Sequence, residues 1–554
     1  MATGTVQATH SVFNQATPLV GHNPFALDVA LREGVVRHGA SWALEQLEDF
    51  GATAGEEGEV RRGELANEHP PVLHRFDRFG NRVDRVEYHP AYHELMTSAV
   101  AAGVHAAPWA DERAGAHVAR AAKFAIRTHV ECGHLCPISM TYAVIPALRV
   151  EPSLAAVWEP RLVSRRYDPA DEPAAGKAGA VAGMAMTEKQ GGSDVRASTT
   201  RAEAVSDGYV LTGHKWFCSA PMSDLFLMLA QTAAGLSCFA VPRWLPDGTR
   251  NAIAIERLKD KLGNRSNASS EIELHGASGA LVGDEGAGIT TIIRMVNHTR
   301  LDCIIGATGQ MRAAFGEACH HTIGRSAFGR RLVDQPLMRQ VLADLAIESE
   351  AATVLMLRVA AAYDAAAGDD GAQAFARLAT AVGKYWACKR NPPFTAEALE
   401  CFGGNGYVET GPMARLFRES PLNGIWEGSG NVIALDVLRA IGREPGSLDA
   451  VLAEIALADG ADTRFDRFSA DLHAELASLA GIGAADQQRC ARRLTERLAL
   501  ALQASLLLRY STPAVADAFC AARLGGGGGL AFGTLPDGVD IDAVIARAWP
   551  PVTT

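Results

Sequence analysis

The sequence predicts a mostly helical α+β protein in which one small β domain separates two helical regions and a further helical piece follows at the end. Three observations carry this. Ala- and Leu-rich stretches with helical spacing fill residues 1–180 and 286–444. Residues 181–285 instead show short alternating or apolar runs punctuated by Gly, Asp, Asn and Pro. Residues 445–554 are helical again, but contain no lysine.

In the first region, Tyr92–Ala102 and Gly115–Glu131 carry helical spacing, and the polar stretch Tyr167–Gly179 reads as a loop. In the second, Gly208–Thr212, Phe226–Thr232, Ser237–Val241, Ala252–Leu258 and Glu271–Leu274 read as strands. Asp207-Gly208 and Asp247-Gly248 mark turns between them. In the third, Gly306–His321, Met338–Ala367 and Ala372–Lys389 read as long helices. In the fourth, the pentaglycine Gly525–Gly529 is too flexible for an element interior, and without a following Lys-Ser/Thr it is no phosphate-binding P-loop.

Length and composition restrict function. A chain of 554 residues has room for several domains. Its net charge of −11 argues against a surface that grips nucleic acid all over, although a local basic patch stays open. No segment approaches the roughly 18 unbroken apolar residues of a membrane span; Leu498–Leu508 is interrupted by Gln503 and Ser505. The opening MATGTVQATHSVFNQ lacks a basic stretch followed by an apolar one, so no signal peptide and a cytoplasmic location are expected. The ten scattered cysteines read as reduced thiols. Cys132 and Cys136, with His134 between them, read as i and i+4 of a buried helix rather than as a metal site, and no metal is expected.

Five segments carry residue types suited to chemistry. Met186-Thr-Glu-Lys-Gln-Gly-Gly-Ser-Asp194 sets hydroxyls around Gly191 and Gly192, where the main chain can approach a flat or anionic ligand; alone it reads equally as a polar turn. Gly213-His-Lys-Trp-Phe-Cys-Ser-Ala220 offers an aromatic face and a hydroxyl, yet its aromatics also suit a core. Gly324-Arg-Ser-Ala-Phe-Gly-Arg-Arg331 places Arg325 where it can grip a diphosphate, or simply form a solvated turn. Phe402-Gly-Gly-Asn-Gly-Tyr407 reads as a helix cap and tight turn. Gly424-Ile-Trp-Glu-Gly-Ser-Gly-Asn431 holds a carboxylate beside an indole. Apolar walls raise a carboxyl pKa and suit it to proton abstraction.

Together and in this order these segments resemble those of the acyl-CoA dehydrogenases. MTEKQGGSD is similar to their T-E-x-x-x-G-S-D segment, GHKWFCS to G-x-K-x-W-I-T, and KLGNRSN (Lys261–Asn267) to K-x-G-x-R-x-S. GRSAFGRRLVDQ resembles R-x-x-F-G-x-x-L/I with its later Gln; FGGNGY and IWEGSGN resemble G-G-x-G-Y and Y-E-G-T-x-x-I. The resemblance covers about residues 50–445. The long N-terminal region, CPISMTYAVIPAL, KDKLGNRSN and the C-terminal extension resemble more closely the AidB-type subgroup of the bacterial adaptive response to DNA alkylation.

The resemblance implies the acyl-CoA dehydrogenase fold: a helical domain, a β-barrel-like middle domain and a four-helix-bundle domain, here with an extra helical domain. It implies FAD, an acyl-CoA or other small-molecule substrate, and a homotetramer. Met186 and Thr187 would meet the pyrimidine side of the flavin, with Gly191 and Gly192 close by, and Ser193 near the carrier phosphates. Ser219 takes the place of the hydroxyl that bonds flavin N5, next to Cys218, and Phe217 stands where Trp is usual. Arg325, Phe328, Gly403 and Gly404 correspond to residues that reach the FAD of a neighbouring subunit, and Gln335 to a polar residue at the cofactor. Trp426, Gly428, Ser429 and Asn431 flank Glu427, which corresponds to the catalytic base. The alternative base position of the family falls on Thr299.

The resemblance also implies double-stranded DNA as a partner of residues 445–554. That segment holds 9 Arg against 13 Asp and Glu, a net of −4, so it is not a basic domain. Arg489, Arg492, Arg493 and Arg497 nevertheless recur at helical spacing on one face, with Leu494, Leu498 and Leu502 opposite. Such a stripe suits a phosphate backbone; it suits equally a solvated face paired with Asp486 and Glu496. The expected function is an FAD-dependent oxidoreductase of the CH–CH type that binds DNA and protects it from alkylation, with weak acyl-CoA dehydrogenase activity. A metabolic short- or branched-chain acyl-CoA dehydrogenase is the alternative.

Overall fold

The structure, a computed structural model, describes residues 9–550. The first eight residues of the stretch read for a leader, and residues 551–554, lie outside them.

The N-terminal region runs through α1 (Val29–Arg37), α2 (Leu44–Ala54), α3 (Glu57–Glu68), a hairpin of β1 (Val72–Phe76) and β2 (Arg82–Glu87), α4 (Pro90–Ala101), α5 (Ala107–Ala110), α6 (Ala116–Thr128), α7 (Leu135–Leu148) and α8 (Pro152–Leu162). The hairpin departs from the all-helical expectation. Its turn is set by Asp77, whose carboxylate accepts the N–H groups of Phe79 (2.8 Å) and Asn81 (2.9 Å). Arg75 and Arg82 both pair with Glu256, tying the hairpin to the β domain. Cys132 also differs: it lies in the turn ahead of α7, and only Cys136 is helical. Glu131 explains the turn, since its buried carboxylate accepts the Gly133 and His134 N–H groups and the His134 ring.

The β domain comprises β3 (Ala182–Ala185), β4 (Arg201–Val205), β5 (Gly208–Ser219), β6 (Leu225–Thr232), β7 (Gly235–Pro242), β8 (Ile253–Leu258) and β9 (Ser269–Leu281). The strand order is β3-β6-β4-β5-β9-β7, with β8 on β9. A further β6–β7 pairing closes the sheet on itself, which hides the edges that an open sheet would expose. Ser206-Asp207 forms the β4–β5 turn, with Gly208 opening β5, and Asp247-Gly248 lies between β7 and β8.

The chain then enters α9 (Gly288–Gly324), a two-residue-strand hairpin of β10 (Ser326–Ala327) and β11 (Arg330–Arg331), α10 (Pro336–Ala365), α11 (Asp370–Glu400), α12 (Pro412–Glu419) and α13 (Gly430–Arg443). α9, α10, α11 and α13 form the bundle. After it come α14 (Pro445–Ala456), α15 (Thr463–Leu479), α16 (Ala484–Tyr510), α17 (Pro513–Phe519) and α18 (Ile541–Ala548), with Gly525–Gly529 in a loop. One apolar core runs through the N-terminal helices, the bundle and these last helices. Leu494, Leu498 and Leu502 are buried in it, and Trp386 donates its indole N–H to Gln503 (3.0 Å). The C-terminal segment is therefore built into the bundle. Removing it would expose core, so its role is testable only by point substitution.

Among the described residues no helix is long and apolar enough to cross a membrane.

Candidate active site at the junction of the β domain and the bundle

Glu427 sits in a tight turn between α12 and α13, with φ of +58°, in the left-handed region. That conformation costs a non-glycine residue about 1–2 kcal/mol and marks a backbone held by its surroundings. Lys384, buried in the middle of α11, donates to the carbonyls of Trp426 (3.0 Å) and Gly428, one on each side. Arg300 of α9 donates Nε to the Glu427 carbonyl (3.0 Å) and pairs through Nη1 with Asp436 of α13 (2.8 Å). Gly428 follows at φ +110°, where a Cβ would stand 3.0 Å from Ile433. Trp426 is oriented by its indole N–H to Asn423 (2.9 Å).

The side chain of Glu427 is half-buried and turned to α9, where the Thr299 hydroxyl lies 2.8 Å from Oε2. Burial pushes its carboxyl above the usual range, while the Thr299 donor, Arg300 and Lys384 pull the other way. Thr299, which the sequence reading set beside Glu427 as the alternative position for a base, is thus a hydrogen-bond donor to Glu427. Cys136, at the start of α7, is buried close to Ser219, and burial pushes its thiol up to about 12, so it is held protonated.

On the opposite side, the turn Met186–Asp194 is fixed by Glu188. Its fully buried carboxylate accepts from Lys215 Nζ (2.8 Å), Thr199 N–H (2.7 Å) and hydroxyl (2.9 Å), Thr200 N–H (3.1 Å) and Gln190 (2.7 Å). Trp216 N–H donates to the Thr187 carbonyl (2.8 Å), which locks the turn to β5. Met186, Thr187 and Gly192 are half-buried, and Gly191 and Ser193 are exposed. Phe217 is 48% exposed and Ser219 is partly accessible, sharing a hydrogen bond with Ser269 (3.3 Å). Cys218 differs from the expectation: its side chain alternates inward into the β-domain core, so only its main chain can face a ligand. Cys136 and Ala220 belong to one apolar cluster against which Met186 and Trp426 both pack, so the Met186 turn, the end of β5 and the Glu427 turn border the same core.

A second group forms at the end of α9. Phe328 and Gly329 make the turn between β10 and β11, with φ of +51° and +78°. Phe328 is completely exposed. Gln335 donates to the Ala327 carbonyl (2.9 Å) and braces the hairpin. His321 of α9 stacks on Phe402 (4.2 Å), the residue before Gly403 and Gly404. Gly403 has φ of +59°, and a Cβ on Gly403 or Gly404 would point into open space. Among the described residues no hydrogen bond or ion pair joins this group to Glu427.

The site fits FAD. An exposed aromatic beside a hydroxyl suits the ring system, and glycine turns admit close main-chain approach. The N-terminus of α13 presents exposed Ser429 and Asn431, the geometry that binds diphosphates.

Comparisons with known proteins agree. The description "Adaptive response protein AidB N-terminal domain" matches residues 14–169, and the acyl-CoA dehydrogenase middle and C-terminal domains match residues 183–277 and 286–442. The chain belongs to the acyl-CoA dehydrogenase family, a class of FAD-dependent CH–CH oxidoreductases, and has that family's mostly helical α+β fold. The putative acyl-CoA dehydrogenase AidB of Escherichia coli K12 is 47% identical over 525 residues, covering 94% of this chain and 96% of that protein. Acyl-CoA dehydrogenase family member 11 of Caenorhabditis elegans is 30% identical over 467 residues, covering 79% and 75%. The solved structure of C. elegans ACDH-11 in complex with C11-CoA matches with a TM-score of 0.85 at 26% identity, covering 100% of this chain and 99% of that one.

Sequence reading passed over several residues. Lys384 had a signal, a lysine in the apolar run AVGKYWAC. Glu188 lay inside a recognised motif but was not separated from its neighbours. Cys136 was read only as core.

Proposed function

We propose that this chain is an AidB-type FAD flavoprotein whose site removes the α-proton of an acyl-CoA thioester. The observation that carries the reading is Glu427, a carboxyl in a strained turn, donor-supported by Thr299 and clustered with the Met186 turn and the end of β5. FAD, when bound, supplies the acceptor for the hydride leaving the β-carbon. Glu427 takes the α-proton onto its carboxylate. Thr299 orients that carboxylate, Lys384 and Arg300 hold its main chain, and Trp426 with Met186 walls the site from water. The resemblance to a protein solved with C11-CoA supports a thioester substrate. Anaerobic mixing of the yellow protein with a series of acyl-CoA chain lengths tests this. Bleaching of the flavin band by at least one is expected; none by any would contradict it.

Thr299→Val removes the donor that favours the ionised carboxylate. The Glu427 pKa then rises further, and the acidic limb of the pH profile for flavin reduction shifts to higher pH. An unmoved limb would show that Thr299 does not act on the base.

The chain is further proposed to assemble as a homotetramer with shared flavin sites. Phe328, Leu337 and Tyr407, 100%, 82% and 82% exposed, are large apolar side chains available for contacts between copies.

Double-stranded DNA is the second ligand of the proposal, bound through its backbone in protection from alkylation. The support is the likeness to AidB and the exposed edge of α16. Arg489, Arg492 and Arg493 all reach solvent there. They are not free of partners: Arg489 pairs with Asp486, Arg493 and the half-buried Arg497 share Glu475, and Arg492 reaches Tyr385. Binding must therefore compete with these pairs, which are worth little at a surface. Duplex anisotropy is expected to weaken with salt, and Arg489, Arg492 and Arg493 changed together to Ala should flatten the slope by roughly 0.9 per lost phosphate contact. An unchanged slope would remove this helix from the DNA reading.

A further inference from the structure

We infer that the N-terminal arm, residues 12–17, is a positioning element of the flavin site shared between subunits, acting through Asn14 on Arg325. This rests on the reading above that Arg325 reaches the diphosphate of a neighbouring copy's FAD.

The arm lies along the end of α9 and grips the β10–β11 hairpin by its main chain. Asn14 Oδ1 accepts the Ser326 N–H (2.7 Å), and Asn14 Nδ2 donates to the Ser326 carbonyl (2.9 Å). One amide thus satisfies both main-chain groups of Ser326, as a neighbouring strand would. Asn14 itself has φ of +55°, a conformation that asparagine tolerates better than other non-glycine residues. Two residues on, Ala16 packs against Gly324, where a Cβ would stand 2.9 Å from the Ala16 methyl, so glycine at the last position of α9 admits the arm. The Thr17 carbonyl lies 2.8 Å from His320 Nε2 and anchors the arm one turn further back.

What this does to Arg325 is specific. Its Nη1 donates to the Asn14 carbonyl (2.9 Å) and to Gln15 Oε1 (3.2 Å). Both hydrogens of that nitrogen are used. Among the described residues Nε and Nη2 take no acceptor, and they form the edge of a guanidinium that binds an anion bidentately. The arm consumes the back of the fork and leaves the gripping edge turned outward. A long side chain otherwise spread over many rotamers is held in one orientation, which lowers the entropy lost when it meets the diphosphate. Val12 and Phe13, 78% and 81% exposed, lie next in the arm to the residues that hold Arg325.

The test is a double-mutant cycle on the FAD dissociation constant, read by flavin fluorescence on the full-length protein. Asn14→Gly keeps the left-handed backbone and removes only the amide. Arg325→Ala removes the target. Charge-assisted contacts of this kind are worth a roughly tenfold or larger change in affinity. The expected result is weaker FAD binding in each single variant, by about tenfold in Asn14→Gly, with the double variant no worse than Arg325→Ala alone. Normal FAD binding by Asn14→Gly beside a loss in Arg325→Ala would overturn the arm's role and leave Arg325 standing. Losses that simply add would also overturn it, since the arm would then act independently of Arg325. Normal binding by Arg325→Ala would overturn the underlying reading as well. Gln15→Ala, which deletes a single acceptor, should fall between wild type and Asn14→Gly.

Discussion

Glu427→Gln is expected to yield a protein that still holds its flavin but reduces it with acyl-CoA about 10²–10⁴-fold more slowly, the usual contribution of a positioned base. The substitution preserves shape. Glutamine keeps an oxygen for the Thr299 hydroxyl, and the main-chain clamps from Lys384 and Arg300 do not involve the side chain. What is lost is the ability to accept a proton. In the wild type the rate should rise with pH through the Glu427 pKa, above the usual carboxylate range because of burial, and stopped-flow flavin bleaching measures both. A variant that bleaches at the wild-type rate would exclude Glu427 as the base.

Glu188→Ala is expected to have the largest effect on stability, about 3–5 kcal/mol, because it leaves the Lys215 ammonium buried without its partner. Both side chains are fully buried, and the carboxylate also satisfies Thr199, Thr200 and Gln190. Burial alone would raise the Glu188 pKa; Lys215 and the Thr donors outweigh it and hold the carboxyl well below its ordinary range. The folded pKa thus lies below the unfolded value of about 4.3. The stabilisation is complete above that value and is lost as pH falls below it towards the folded pKa. Urea unfolding of wild type and variant near neutrality and at low pH checks both statements. The gap should be wide at neutral pH and narrow in acid. A loss under about 0.5 kcal/mol, in the range of ordinary surface changes, would contradict it. The Met186–Asp194 turn should loosen too, so flavin retention should fall with stability.

Much of this architecture was legible in the sequence because it rests on periodicity and on turn residues. The change from helical spacing to short runs around residue 181 and back around residue 286 marks where the sheet begins and ends. Asp207-Gly208 marks the end of a turn, since Gly208, where β5 begins, has φ of +124°, which glycine adopts readily. The β1–β2 hairpin was not legible. Its strand RVDRVE is two-thirds charged, and its pairing with Glu256 lies far away in sequence. Glu427 stood out by its motif, whereas its dependence on Thr299, Arg300 and Lys384 is a matter of two helices, α9 and α11, meeting its turn. The arginines of α16 were visible as a stripe, but Glu475, which two of them share, sits on another helix. Asn14 carried no local signal at all, since its partner Ser326 is separated from it by most of the chain.

The most direct measurement is wash-in of deuterium at the α-carbon of an acyl-CoA incubated with the protein in D₂O, because it reads proton abstraction without needing an electron acceptor. The account predicts exchange by the wild type that disappears in Glu427→Gln. Exchange that persists undiminished in that variant, or no exchange with any chain length by the flavin-loaded wild type, would contradict it.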